Sequence, residues 1–169
     1  MAHPSHSMRL PDDRRHRAQR ILTVLFPFAV AVSIVHYSDN YFNYRDYPRS
    51  ATLPNPSAWL IGSAWFAFTA LGVAGFLLLR REGSTRALFL LAAYSGSGLV
   101  GIGHYLVPGA TSMPWWRQAH VILDIACGIS IFAVTIWAAR GARPAGSRTT
   151  ARAGGTDRRR SSAEEGGSA

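Results

Sequence analysis

Charge is scarce in this chain of 169 residues: charged side chains make up 16% of it, against about 25% in an average soluble protein. Lysine is absent. All 18 basic residues are Arg, and with only nine acids the formal net charge is +9. The bias to Arg over Lys suggests a GC-rich bacterial coding sequence. There is one cysteine, Cys127, which excludes an intramolecular disulfide and a thiolate-based zinc site. Together these shortages argue against an ordinary soluble enzyme, a collagen-like chain and a disulfide scaffold. The mean hydropathy of +0.06 conceals a division. Arg crowds the two ends, and the stretch from Ile21 to Ala139 is largely apolar.

About 20 apolar residues in a helix span the ~30 Å hydrocarbon layer of a bilayer. Four runs qualify, over residues 21–38, 57–79, 87–107 and 116–139. They are too long and too continuously apolar for the alternating strands of a membrane barrel. The expected fold is an all-α integral membrane four-helix bundle over residues 21–139. A basic tail is expected over 1–20 and a disordered Arg/Gly/Ser-rich tail over 140–169.

Arg9, Arg14, Arg15, Arg17 and Arg20 precede the first run, Arg80, Arg81 and Arg86 follow the second, and Arg140, Arg143, Arg148, Arg152, Arg158, Arg159 and Arg160 follow the fourth. The other side has Arg45, Arg49 and Arg117. The positive-inside rule then places both termini in the cytoplasm of a multi-pass cell-membrane protein. The basic tails are read as topology signals that also meet anionic lipid. Without aromatic interleaving or a motif they do not indicate nucleic acid. Arg17, Arg20 and the Ala29-Val30-Ala31 sequence resemble a signal peptide, but the apolar run continues past Ala31, so a retained helix is expected.

Pro27 is expected to kink the first helix, and Asn55 or Ser57 to cap the second. Tyr37, Tyr41, Tyr44, Tyr47, Trp59, Tyr105, Trp115 and Trp116 fall at the outer ends of their runs and read as an interfacial aromatic belt. Small residues recur four apart as Ala93, Ser97 and Gly101, beside Ser63, Ala67, Ala70 and Ala74 of the second run. Such stripes predict close packing of the second and third helices, or a homo-oligomer or larger membrane complex.

The informative residues are the polar ones that a membrane segment tends to exclude. His36 and Asp39 end the first run, His104 ends the third, and His120 and Asp124 lie in the first turns of the fourth. Asp124 is roughly 12 Å below the start of its helix at 1.5 Å per residue. All five are therefore expected in the outer third of the membrane. His120, Asp124 and Cys127 share one helical face, and His36 and Asp39 another. A carboxylate at the depth of Asp124 requires a partner, a proton or a water-filled cavity.

Four readings follow. In the first, His36, His104 and His120 bind a divalent metal such as zinc, with Asp124 and Asp39 as further ligands or general base. Three imidazoles and an open position would suit hydrolysis of an outer-leaflet lipid. In the second, two of the His residues hold a haem b in a redox subunit. The third is an apolar-ligand protein or a proton-linked transporter. The fourth is an accessory subunit in which the cluster only fixes helix register.

His36, Asp39, Tyr47-Pro48 and Pro56-Ser57-Ala58-Trp59 resemble the EXPERA group of sterol-isomerase and sterol-receptor membrane proteins. The resemblance spans His36 to Trp59, implies four helices and favours the apolar-ligand reading. The chain departs from that group in having no acid in its second run, and its His104-Tyr105 and His120…Asp124 pairs have no counterpart there.

Overall fold

The computed structural model describes residues 10–52 and 54–141. Most of the tail expected beyond residue 140, with His3 and His6 of the first tail, lies outside the described residues. Among those described there is no strand. Four long helices, α1 (Asp12–Phe42), α2 (Ala58–Glu82), α3 (Thr85–Val100) and α4 (Trp115–Ala139), carry the fold, and a 3-10 segment, Gly101–Leu106, prolongs α3. Sequence neighbours pack side by side, and α4 closes back on α1. All four helical stretches are long and apolar enough to cross a membrane.

The distribution of apolar side chains suits that reading. The bundle interior holds Leu22, Phe26, Leu79, Leu91 and Ile131, while Val24, Phe66 and Phe89 are 69–77% exposed on its outside. Of α2 only Gly72, Gly75 and Leu79 are buried. A helix apolar on every side belongs in lipid or in a large core, not against water.

Glycines set the helix spacing. A Cβ on Gly98 of α3 would lie 2.5 Å from the backbone oxygen of Asp124, and one on Gly128 of α4 would lie 2.8 Å from that of Ser95. Backbone meets backbone at this α3–α4 crossing, because neither residue has a side chain. Gly75 of α2 sits equally tightly on Ala87 and Leu91 of α3. The second and third helices therefore do pack closely, but through Gly72 and Gly75 rather than the stripe from Ser63 to Ala74. By contrast, a Cβ on Gly96 of α3 would come no closer than 3.9 Å to a neighbour, the Phe68 ring.

α1 begins at Asp12, before the apolar run, and continues through Pro27 and Ala29–Ala31 without interruption. Its first turns bond to the ends of its neighbours. Arg14 donates to the Trp137 carbonyl at 2.9 Å, Arg15 to those of Arg80 and Arg81 at 3.1 and 3.2 Å, and Gln19 to that of Leu79 at 2.9 Å. The last carbonyls of a helix lack intrahelical donors and carry partial negative charge, so guanidinium groups are well matched to them. Of the two expected caps of α2, Ser57 serves, accepting from the Leu60 N–H at 3.2 Å. Asn55 instead closes the preceding loop through two 2.9 Å bonds with the Ser50 backbone. The bundle thus has an Arg-rich end and, opposite, a Tyr-rich end where α1 meets the 43–57 loop.

Candidate functional site

At the Tyr-rich end, α1 presents three successive polar residues to the interior. His36 and Asn40 are one turn apart and buried, and Asp39 lies between them. His36 Nδ1 is 2.7 Å from Asp124 Oδ2 of α4, both side chains being 3% exposed. Asp124 therefore finds its imidazole on another helix, not in His120 of its own face. The Gly98–Gly128 crossing lies directly beneath, and it is what lets α3 come against the Asp124 backbone.

Asp39, which shares a helical face with His36, is engaged elsewhere. It accepts from Arg117 Nε at 2.8 Å, from the Tyr47 hydroxyl at 2.6 Å and from Asn43 Nδ2 at 2.7 Å. Arg117 also reaches Asp46 at 3.4 Å, and its guanidinium lies over the rings of Tyr47 and Trp116 at 4.8 and 5.0 Å. The desolvated pair is hydrogen-bonded on both members, the condition for tolerating buried charge. Burial first, then the bond to Asp39, push the Tyr47 hydroxyl well above the usual phenol range. It stays protonated and donates. This network ties the 43–57 loop to α1 and α4.

The three histidines of the candidate spans converge. The His36 ring centroid lies 5.6 Å from that of His104 and 5.6 Å from that of His120. His104 Nε2 is 3.1 Å from the Asn40 amide nitrogen, and its ring packs 5.0 Å from that of Tyr47. His120 Nε2 is 3.4 Å from Asp39 Oδ2, and neither of its ring nitrogens has a hydrogen bond among the described residues. His36 Nε2 is likewise buried without a partner.

Convergence does not make a ligand set. Among the described residues no group of three or more His, Cys, Asp or Glu is arranged to hold a metal ion. The reason is visible in the pairing. Asp124 takes His36 Nδ1, Asn40 takes His104 Nε2, and Asp39 is committed to Arg117 and Tyr47. A haem between two of these rings would require them to separate, because they are already in contact. Cys127 lies in the apolar core with Leu91 and Ile131, below the polar cluster.

Beside the cluster lies a cavity of about 330 Å³ between α1, α2 and α3. His36, Asn40 and His104 line its polar end, Leu60, Ala64, Phe68 and Val100 its apolar wall, and the 43–57 loop roofs it. Comparison with known families, with curated proteins and with solved structures found no match to this chain. The likeness to the EXPERA group thus rests on the residues quoted above alone.

Sequence reasoning assigned Arg117 only to topology and left Asn40 without a role. A usable signal existed. Arg117, His120 and Asp124 follow at intervals of three and four, hence on one face, and Asp39 stands at the same depth with opposite charge.

Proposed function

We propose that the chain is a multi-pass membrane protein, with its Arg-rich end in the cytoplasm, that binds an apolar small molecule near the opposite face. The orientation follows from the Arg distribution and the positive-inside rule. One observation carries the binding reading: a largely apolar cavity lined by His36, Asn40 and His104, with His36 Nε2 enclosed beside it and unpartnered. Small-molecule sites combine an apolar lining with a few placed polar groups. A register-fixing network gains nothing from leaving such an atom unpaired, since that costs about 1–3 kcal/mol. The Asp124 carboxylate holds the His36 ring in one orientation with a proton on Nδ1. The loop pinned through Tyr47 and Asp39 contributes Tyr44, Tyr47 and Pro48 to the cavity wall.

The test is solvent extraction of the protein held in lipid nanodiscs, followed by mass spectrometry. An apolar compound enriched over empty discs is expected, and Ala64→Trp, which fills the cavity, removes it. Identical extracts from wild type, variant and empty discs refute the reading.

A further inference from the structure

If the cavity holds an apolar molecule, as proposed above, the hydrogen-bond valences of its two imidazoles decide what that molecule must carry. His36 Nδ1 faces a carboxylate oxygen at 2.7 Å, and a carboxylate only accepts. A ring proton is therefore on Nδ1, and in the neutral ring Nε2 offers a lone pair. His104 Nε2 faces the Asn40 amide nitrogen at 3.1 Å, and an amide nitrogen only donates. With the Asn40 amide in this orientation its ring proton is on Nδ1, which is left to donate. The two imidazoles are in contact and both residues line one cavity, so the pair offers a donor and, enclosed just beside the cavity, an acceptor that a small side-chain shift would open to a guest.

A hydroxyl matches that pair, because it donates one bond and accepts others. Carboxylates, ethers and ketones only accept and leave His36 Nε2 unsatisfied. Hydrocarbons satisfy neither ring. Among the lining residues Arg49 is the cation that would suit a carboxylate, but it lies on the roof, 4.9 Å over the Tyr44 ring. A heavy atom the size of water occupies about 30 Å³ of liquid, so the cavity takes roughly eleven such atoms. We propose that it holds an apolar alcohol or phenol, whose hydroxyl donates to His36 Nε2 and accepts from His104 Nδ1–H.

The test uses the full chain in nanodiscs and four bicyclic probes: 2-naphthol, 2-methoxynaphthalene, 2-naphthoic acid and naphthalene. Binding is read by equilibrium dialysis against empty discs. 2-Naphthol is expected to bind about tenfold or more tighter than the other three, a difference of ~1.4 kcal/mol. The preference should vanish in His104→Phe, which leaves the His36–Asp124 pair in place, and in the paired change His36→Phe with Asp124→Leu, which leaves no carboxylate unpaired. Equal affinity for the four probes, tighter binding of the acid, or a naphthol preference that survives both variants overturns the hydroxyl assignment and leaves the cavity reading standing. If no probe saturates, or if Ala64→Trp does not weaken binding, the cavity reading fails as well.

Discussion

Replacing Arg117 by Met tests whether the Asp39 network is a buried ion pair in the energetic sense. Both side chains are nearly enclosed, Arg117 at 6% and Asp39 at 9% exposure, and the closest contact is 2.8 Å. An exposed pair of this geometry contributes only about 0.2–1 kcal/mol. Removing one partner of a buried pair costs about 3–5 kcal/mol, because the other charge is left desolvated. Asp39 keeps bonds from Tyr47 and Asn43, which soften the loss, so the lower end, about 3 kcal/mol, is expected for Arg117→Met. At roughly 2–4 °C per kcal/mol for a chain of this size, the midpoint falls by about 6–12 °C. The paired change Asp39→Leu with Arg117→Met removes both charges and should recover most of that loss, since apolar replacement of a buried pair is often neutral. Thermal unfolding in detergent gives the full double-mutant cycle. A single-variant loss below about 1 kcal/mol, or a double variant no better than the singles added together, would refute the account of a desolvated pair.

Other consequences are as direct. Gly98→Ala places a methyl 2.5 Å from the Asp124 backbone oxygen. It should cost about 1–3 kcal/mol, as overpacking does, and weaken 2-naphthol binding by displacing Asp124; unchanged stability by thermal unfolding would contradict the crossing. Tyr47→Phe removes the 2.6 Å bond from loop to Asp39 and should speed probe release in stopped-flow dissociation with little change of fold by circular dichroism. Elemental analysis of protein purified without a His tag is expected to find less than stoichiometric zinc; one equivalent, lost in His104→Ala, would restore the metal reading. In a Cys127→Ala background, cysteines introduced at the exposed positions Glu82 and Ala51 should label with an impermeant maleimide from the inside and outside of oriented vesicles respectively, and the reverse pattern would invert the topology.

The fold was legible because helices long and apolar enough to cross a membrane announce themselves by length and composition. The four apolar runs lie within α1, α2, the α3 stretch with its 3-10 extension and α4, save for a residue at some ends. What hydropathy cannot register is a polar turn helical for reasons outside the lipid. The start of α1 at Asp12 is such a case, since Arg14, Arg15 and Gln19 are held by carbonyls of α2 and α4, distant in sequence. Position along each helix was also legible, because each residue rises by a fixed step. It brought His36, His104 and His120 to one height, and their rings do meet. Rotation about each helix axis was not legible. It decides which carboxylate faces which imidazole, and it depends on the Gly98–Gly128 crossing, where two absent side chains set the geometry.

That rotation gives the two carboxylates different work. Asp39 collects an Arg, a Tyr and an Asn, so its charge is answered and its bonds serve to hold the loop. Asp124 has His36, and the bond between them transfers an unmet demand to the far side of the ring, at Nε2. Had stability been the only requirement, a Gln in place of His36 could answer Asp124 through its amide without carrying a second nitrogen into the cavity wall. An imidazole there is useful only when something supplies a proton or a hydroxyl to the other nitrogen. The expected signature is a Gln at position 36 that preserves the unfolding midpoint to within about 1 kcal/mol, a typical hydrogen-bond contribution, while the preference for 2-naphthol over 2-methoxynaphthalene falls. If His36→Gln lowers stability and leaves the probe preference intact, the pair is structural and the guest, if any, is bound elsewhere.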